Sequence, residues 1–61
     1  MNSFHAYRVA KVLIHFGHAD SPAIPHADMT MAAHLADVPQ PATAEDRAQV
    51  CDLLDEIEAG R

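Results

Sequence analysis

Residues 43–60 read TAEDRAQVCDLLDEIEAG, and this stretch carries the strongest helical pattern of the chain. Thr43 is a favourable N-cap residue, and Asp46 three positions later forms an approximate capping box, with Asp in place of the usual Glu. Gly60 is a favourable stop signal at the other end. The side chains of one face recur at helical spacing: Arg47, Val50, Leu54, Ile57 and Arg61, with Leu53 beside them. We therefore predict a helix over residues 44–59.

The N-terminal segment predicts an amphipathic helix over residues 3–17, with Ser3 as its N-cap and Gly17 as its stop signal. On a helical wheel of about 100° per residue, one polar stripe is formed by Arg8, Lys11, His15 and His18. The remaining arc of roughly 200° is apolar, whereas a surface helix needs an apolar stripe of only about 100°. The segment therefore carries more apolar surface than two short neighbouring helices would cover.

The apolar arc of this helix divides into two sides with different expected roles. We assign one side to the intrachain core: Val9, Val12, Leu13 and Phe16. We assign the other side, formed by Tyr7, Ala10 and Ile14, to an interface with a partner, because apolar surface that the fold cannot cover marks interaction sites. The alternative is that Ala23 and Ile24 of the following connector cover this side.

A proline-containing connector follows the first helix. Pro22 and Pro25 disfavour helical dihedral angles in the residues that precede them. The sequence ADSPAIP at residues 19–25 is therefore predicted to be extended, with Ile24 packed into the core.

A short helix is expected over residues 29–38. Asp28 is its predicted N-cap, with Thr30 as the alternative, and Pro39 and Pro41 terminate it. The predicted buried face is Met31, Leu35 and Val38, and the predicted polar face is Thr30, His34 and Asp37.

A chain of 61 residues forms one small domain at most, and its 49% of hydrophobic residues is typical of a folded protein. We therefore predict a single all-α domain of three helices over residues 1–61. Its core is expected to use the larger apolar side chains: Val9, Val12, Leu13, Ile14, Phe16, Ile24, Met29, Met31, Leu35, Val38, Val50, Leu53, Leu54 and Ile57. So small a domain usually needs a disulfide, a metal or a partner. Cys51 is the single cysteine, so an intrachain disulfide is excluded.

Histidines recur every eight residues, at His18, His26 and His34. This period would place them on one face only in a continuous helix, and Pro22 and Pro25 interrupt it. Zinc sites need clustered ligands at short, defined spacings, and the chain offers one cysteine and scattered histidines. We therefore expect no metal site and no cofactor.

A catalytic site is the next possibility, because Cys51 could pair with His34 or His15 as nucleophile and base. The sequence shows no third orienting group. A three-helix body of this size also has little room for a pocket of about 300 Å³. We expect no catalytic residue and no enzymatic activity.

Charge is unevenly distributed along the chain, whose formal net charge is −5. Residues 1–18 contain two basic residues, three histidines and no acid, whereas residues 43–61 hold six of the nine acids. An acidic helix face can steer a basic partner, as in inhibitors of nucleic-acid-binding proteins, and we predict Glu45, Asp52 and Glu56 as steering charges. The alternative is that this face only keeps the protein soluble.

The order of the helices suggests a second interpretation. AAHLADV at residues 32–38, followed by Thr43 at the start of a helix that ends near Gly60, resembles the helix-turn-helix part of winged regulators. The resemblance covers about half of the chain and implies DNA binding through the third helix. However, VPQPAT is longer than the usual turn, and Glu45 and Asp46 would face DNA phosphates, whose neutralisation supplies much of the affinity. DNA binding is therefore the alternative function.

The apolar run VAKVLIHF at residues 9–16 is interrupted by Lys11 and His15, so it does not have the pattern of a secretion signal, and it is too short to cross a bilayer. We therefore expect a cytoplasmic protein with a reduced thiol. Its expected role is protein–protein interaction, as a homodimer or as a small regulatory or inhibitory subunit on a larger host protein. Neither nucleic acid nor a membrane is the expected partner.

Overall fold

Three α-helices follow one another in the order that the sequence predicts. The computed structural model describes residues 1–17 and 26–60. The helices are α1 (Ser3–His15), α2 (His26–Ala36) and α3 (Ala44–Ala59), and no strand occurs within the described ranges. The prediction of a small all-α, three-helix domain is thereby confirmed. The predicted extended connector at 19–25, with Ile24, lies outside the described residues.

Helix α3 spans the predicted residues, and its N-terminus carries the predicted signal. Thr43 has an extended backbone, and its hydroxyl oxygen accepts a hydrogen bond from the Asp46 backbone N–H at 3.1 Å. At the other end Gly60 is the C-cap, but its φ of −80° is right-handed, so it does not use the left-handed conformation by which glycine commonly ends a helix. The predicted N-cap is confirmed, and it fixes where α3 begins.

The N-terminus of α1 is capped one residue earlier than predicted. Asn2, and not Ser3, is the N-cap residue, since its side-chain oxygen accepts hydrogen bonds from the N–H groups of Phe4 at 2.7 Å and His5 at 3.4 Å. Asn caps a helix as well as Ser does. With two suitable residues in a row, the sequence alone does not say which one adopts the extended backbone of the cap.

The C-terminus of α1 lies two residues before the predicted end. The helix ends at His15, and Phe16 is its C-cap. Gly17 then has a φ of 90°, a conformation that glycine adopts without steric cost, and its N–H donates to the Ile14 carbonyl oxygen at 3.0 Å. Gly17 is thus the stop residue, as predicted, but it stands outside the helix rather than in its last turn.

The start of α2 differs from the prediction by three residues. The helix begins at His26, whereas the sequence predicted a start at Met29 with Asp28 as the cap. Asp28 lies instead in the first turn, where its negative charge interacts favourably with the positive end of the helix dipole. An acid near the start of a helix can therefore act in two ways: as the N-cap residue, or, as Asp28 does here, through its charge in the first turn.

The end of α2 is set by a residue with a left-handed backbone. The helix ends at Ala36, and Asp37 has a φ of 58°. The Asp37 N–H donates to the His34 carbonyl oxygen and the Val38 N–H to the Ala33 carbonyl oxygen, each at 3.1 Å. This pair of bonds is the Schellman motif, which usually has glycine at the left-handed position. The helix therefore stops before it reaches the prolines that were predicted to end it.

The core lies along α1, which packs against both α2 and α3, whereas α2 and α3 scarcely touch each other. The buried apolar side chains fall on one face of each helix: Ala6, Val9, Ala10 and Leu13 of α1, Met29, Ala32, Ala33 and Ala36 of α2, and Val50 and Leu54 of α3. Five of these ten residues are alanine, so the core relies on close approach of the helices rather than on large side chains. Each alanine buries little apolar area, and the core is correspondingly small.

The predicted core is confirmed in part. Five of its members are buried: Val9, Leu13, Met29, Val50 and Leu54. Five more are partly buried against the core: Val12, Ile14, Val38, Leu53 and Ile57. The prediction is wrong for Phe16, Met31 and Leu35, whose side chains are 58%, 52% and 55% exposed.

The error on α2 has a physical cause. The prediction turned the larger side chains, Met31 and Leu35, toward the core, but α2 turns its alanines inward instead. Small side chains on both α1 and α2 let the two backbones approach closely, and dispersion contacts then replace side-chain bulk. Phe16 lies just beyond the last turn of α1, and its ring remains exposed.

Two leucine-to-alanine substitutions test this packing, one in the core and one on the exposed side of α2. We expect Leu54→Ala to lower the free energy of unfolding by about 2–5 kcal/mol, because it leaves a cavity in the core. Leu35→Ala is expected to change it by no more than about 0.5 kcal/mol, because the side chain is already half exposed. Urea unfolding followed by circular dichroism measures both, and equal losses would contradict the observed orientation of α2.

The left-handed residue that ends α2 gives a second stability prediction. Asp37→Gly is expected to raise the free energy of unfolding by about 0.5–1 kcal/mol, since glycine adopts this conformation more readily than Asp. The matched control is Gly17→Ala, which places a Cβ at a φ of 90° and should lower stability even though no atom crowds the site. Thermal midpoints that move in the same direction for both variants would contradict this explanation.

Candidate functional site

The three predicted apolar anchors do not form one exposed face. Tyr7 is 44% exposed, Ile14 is half-buried against the core, and Ala10 is fully buried. Ala10 is therefore part of the intrachain packing, and its side chain is not available to a partner. α1 uses this position because both neighbouring helices pack on α1, which widens the arc that it buries.

The exposed surface of α1 combines aromatic and cationic side chains. We call it the α1 outer stripe: Phe4, Tyr7, Arg8, Lys11 and His15. The Arg8 guanidinium lies 5.8 Å from the centre of the Phe4 ring, and the Lys11 Nζ lies 6.0 Å from the centre of the Tyr7 ring. Each pair is one helical turn apart, so each cation rests over an aromatic face. The outer stripe contains no acid.

The exposed surface of α2 is apolar at its centre. We call it the α2 outer face: Ala27, Met31, His34 and Leu35. Beside it runs an open groove lined by Ala27, Thr30, Met31, His34 and Gln40. α2 is therefore apolar on two opposite sides, one packed on α1 and one exposed. The sequence contained part of this signal, because Ala32, Ala33 and Ala36 lie on one side of the helical wheel and Met31 and Leu35 lie on the other.

The exposed surface of α3 is acidic. We call it the α3 outer face: Glu45, Ala48, Asp52, Asp55 and Glu56. All three predicted steering residues, Glu45, Asp52 and Glu56, lie on it and are exposed. Their role as steering charges stays a prediction. The small side chain of Ala48 lies among the carboxylates, so the face has room for a larger side chain of a partner.

A further acid of α3 is engaged within the chain. The N-terminal ammonium of Met1 lies 3.0 Å from Oδ1 of Asp46, and this ion pair joins the first residue to the first turn of α3. The ammonium holds the pKa of the Asp46 carboxyl below its usual value, hydrogen bonds from Thr43 act in the same direction, and burial opposes them. Asp46 is therefore an anchor for the N-terminus rather than part of the α3 outer face.

The lowered pKa of Asp46 predicts a pH dependence of stability. The unfolded value is near 3.9, and the folded value is lower. Ionised Asp46 therefore stabilises the fold above about pH 4, and this contribution is lost as the pH falls through the folded pKa. We expect Asp46→Asn to lower the thermal midpoint slightly at pH 7 and to have no effect near pH 2.

The matched control is the wild-type chain with an acetylated N-terminus, which lacks the ammonium but keeps the carboxylate. It should lose part of the same stabilisation at pH 7. A difference between wild type and Asp46→Asn that persists unchanged at pH 2 would contradict the ion pair as its source.

Cys51 lies half-buried on α3. Burial raises the pKa of its thiol, and the carboxylates of Asp55 and Asp52 raise it further. A catalytic or redox-active cysteine needs the opposite environment, one that favours the thiolate. Within residues 1–17 and 26–60, no group of three or more His, Cys, Asp or Glu side chains is placed to hold a metal ion. His18, one of the three regularly spaced histidines, lies outside these ranges.

Searches for relatives give no further information. Comparison of the chain with protein-family models, with curated proteins and with solved structures finds no significant match. In the part of the chain that the structure describes, no helix has the length and apolar character needed to cross a membrane. Function must therefore be argued from the three outer surfaces.

Proposed function

We propose that this chain is a cytoplasmic protein–protein interaction module without enzymatic activity, which acts as a homodimer or as a regulatory or inhibitory subunit of a larger protein. One observation carries the proposal. Among the described residues, five large apolar side chains are exposed: Phe4, Tyr7, Phe16, Met31 and Leu35. The fully buried side chains larger than alanine are six, Val9, Leu13, Met29, Pro41, Val50 and Leu54, so the exposed large apolar side chains are nearly as numerous as the fully buried ones.

The small core gives a physical reason for a partner. A domain of this size gains little net stability from its own burial, and uncovered apolar surface marks a contact site. Met31 and Leu35 are one turn apart on the α2 outer face, and the unbranched Met side chain adapts to the shape of a partner. Helices bind other proteins through such i, i+4 anchors. We infer that the α2 outer face is the contact surface.

A cytoplasmic location is supported by the chemistry of Cys51. It is a free thiol and the single cysteine of the chain. Small domains of extracellular compartments are commonly held together by disulfides, which this chain cannot form internally. A reducing compartment is therefore the environment that suits the chain.

The alternative of DNA binding gains no support from an observation. The α3 outer face, which would enter the groove, carries Glu45, Asp52, Asp55 and Glu56, and carboxylates repel phosphates. In addition, helix-turn-helix motifs join two mutually packed helices by a turn of about three or four residues. Here residues 37–43 separate α2 from α3, and the two helices scarcely touch. We therefore do not propose it.

The proposal is tested by removing the apolar anchors of α2. We expect the wild-type chain to associate at tens of micromolar and Met31→Gln/Leu35→Gln to shift sedimentation toward the 6.6 kDa monomer. Gln is a good helix former, so α2 should keep its helicity. The matched control is Asp37→Asn, which changes an exposed polar side chain just beyond α2 and outside the α2 outer face, and which should leave association unchanged.

A foreign partner is distinguished from a second copy by photo-crosslinking in the source cell. A photoreactive amino acid at position 31 or 35 should give a defined adduct, whereas the same residue at Ala42, which is exposed in the segment between α2 and α3, should not. An adduct of twice the chain mass indicates self-association. A monomeric wild-type chain that also gives no position-specific adduct would overturn the proposed function.

A further inference from the structure

The outer surfaces of α1 and α3 have opposite charge. The α1 outer stripe has cations and no acid, whereas the α3 outer face has four carboxylates and no cation. α1 and α3 pack on one another through their buried faces. Each outer surface lies on the side of its own helix away from the buried face, so the two surfaces of one molecule do not meet across the contact between α1 and α3.

The charges of these surfaces are not neutralised within the chain. Arg8 and Lys11 rest over aromatic rings, and no ion pair among the described residues engages either of them. Asp52, Asp55 and Glu56 likewise have no ion pair in that part of the chain. Both sets of charges are thus available to another molecule.

We propose that the α1 outer stripe of one copy docks on the α3 outer face of a second copy. The spacing fits, because Arg8 and Lys11 are three residues apart, as are Asp52 and Asp55, which puts each pair about 4.5 Å apart along its helix axis. Two ion pairs can therefore form at once. Tyr7 and Phe4 supply aromatic contact area of the kind enriched in interfaces.

The α3 outer face offers a small side chain to the Phe4 ring. Ala48 lies one turn before Asp52, just as Phe4 lies one turn before Arg8, so Phe4 can meet Ala48 when Arg8 meets Asp52. An aromatic ring that packs there excludes water from the neighbouring ion pairs, and exclusion of water strengthens them. The aromatic and charged parts of the two surfaces are therefore complementary in the same register.

This arrangement is head-to-tail. A contact between two different surfaces of a molecule adds copies in a chain or a ring, not in a closed pair. It deepens the proposed function by naming a second copy as the partner, and it uses surfaces other than the α2 outer face. Exposed ion pairs contribute little each, so the contact is weak and sensitive to salt. The repulsion that follows from the net charge of −5 is screened beyond about 8 Å at 0.15 M salt.

The test uses two variants of the full chain, each of which lacks one of the two docking surfaces. Arg8→Gln/Lys11→Gln disables only the α1 outer stripe, and Asp52→Asn/Asp55→Asn disables only the α3 outer face. Each alone should sediment as a smaller species than the wild type at 0.1 M salt. When both variants also carry Met31→Gln/Leu35→Gln, which removes the contact through the α2 outer face, their equimolar mixture should form a 1:1 pair and nothing larger, because each partner retains one intact charged surface. The apparent dissociation constant of the wild type should rise at least about fivefold between 0.1 and 0.5 M salt.

The matched control is Asp37→Asn, which removes one exposed carboxylate outside both surfaces and keeps a residue that tolerates a left-handed backbone. It should associate like the wild type, and circular dichroism should show equal helicity for all variants. The inference is overturned if the mixture stays monomeric, if the control loses association equally, or if salt has no effect. A different result would support the proposed function and overturn this inference. In that case only Met31→Gln/Leu35→Gln abolishes association, and association does not depend on salt.

Discussion

The structure depends on the buried face of α1. This face presents Ala6, Val9, Ala10 and Leu13, and both other helices pack on α1 while scarcely touching each other. In a bundle with three mutual contacts, every helix would be covered on two sides. Here only α1 is covered by two helices, and α2 and α3 each bury a single face. The exposed apolar and charged surfaces follow directly from this arrangement.

Alanine has a central place in this arrangement. Because Ala32, Ala33 and Ala36 face α1, the two backbones can approach closely, but little apolar area leaves the solvent. The larger side chains of the same helix, Met31 and Leu35, then remain about half exposed to solvent. The feature that makes α2 pack closely is therefore also the feature that leaves an apolar surface on its other side.

The number of helices and the start of α3 could be predicted from the sequence, because the Thr43 cap acts through a local hydrogen bond. The inward face of α2 could not. Apolar residues surround this helix, and the choice between bulk at Leu35 and close approach at Ala33 depends on the shape of α1. The end of α2 was also missed, since Asp37 in a left-handed conformation replaces the glycine that marks such ends.

The candidate site could also be predicted only in part, because local patterns show which residues share a helix face but not which face another helix covers. The acidic face of α3 follows from helical period alone, so Glu45, Asp52 and Glu56 are exposed as expected. The burial of Ala10 depends on a second helix packing on α1, which no local pattern reveals. Charge that is carried on outer surfaces does not contribute to the packing of the core. Its segregation between α1 and α3 is therefore not set by the core, and it is the feature on which the proposed contact between copies rests.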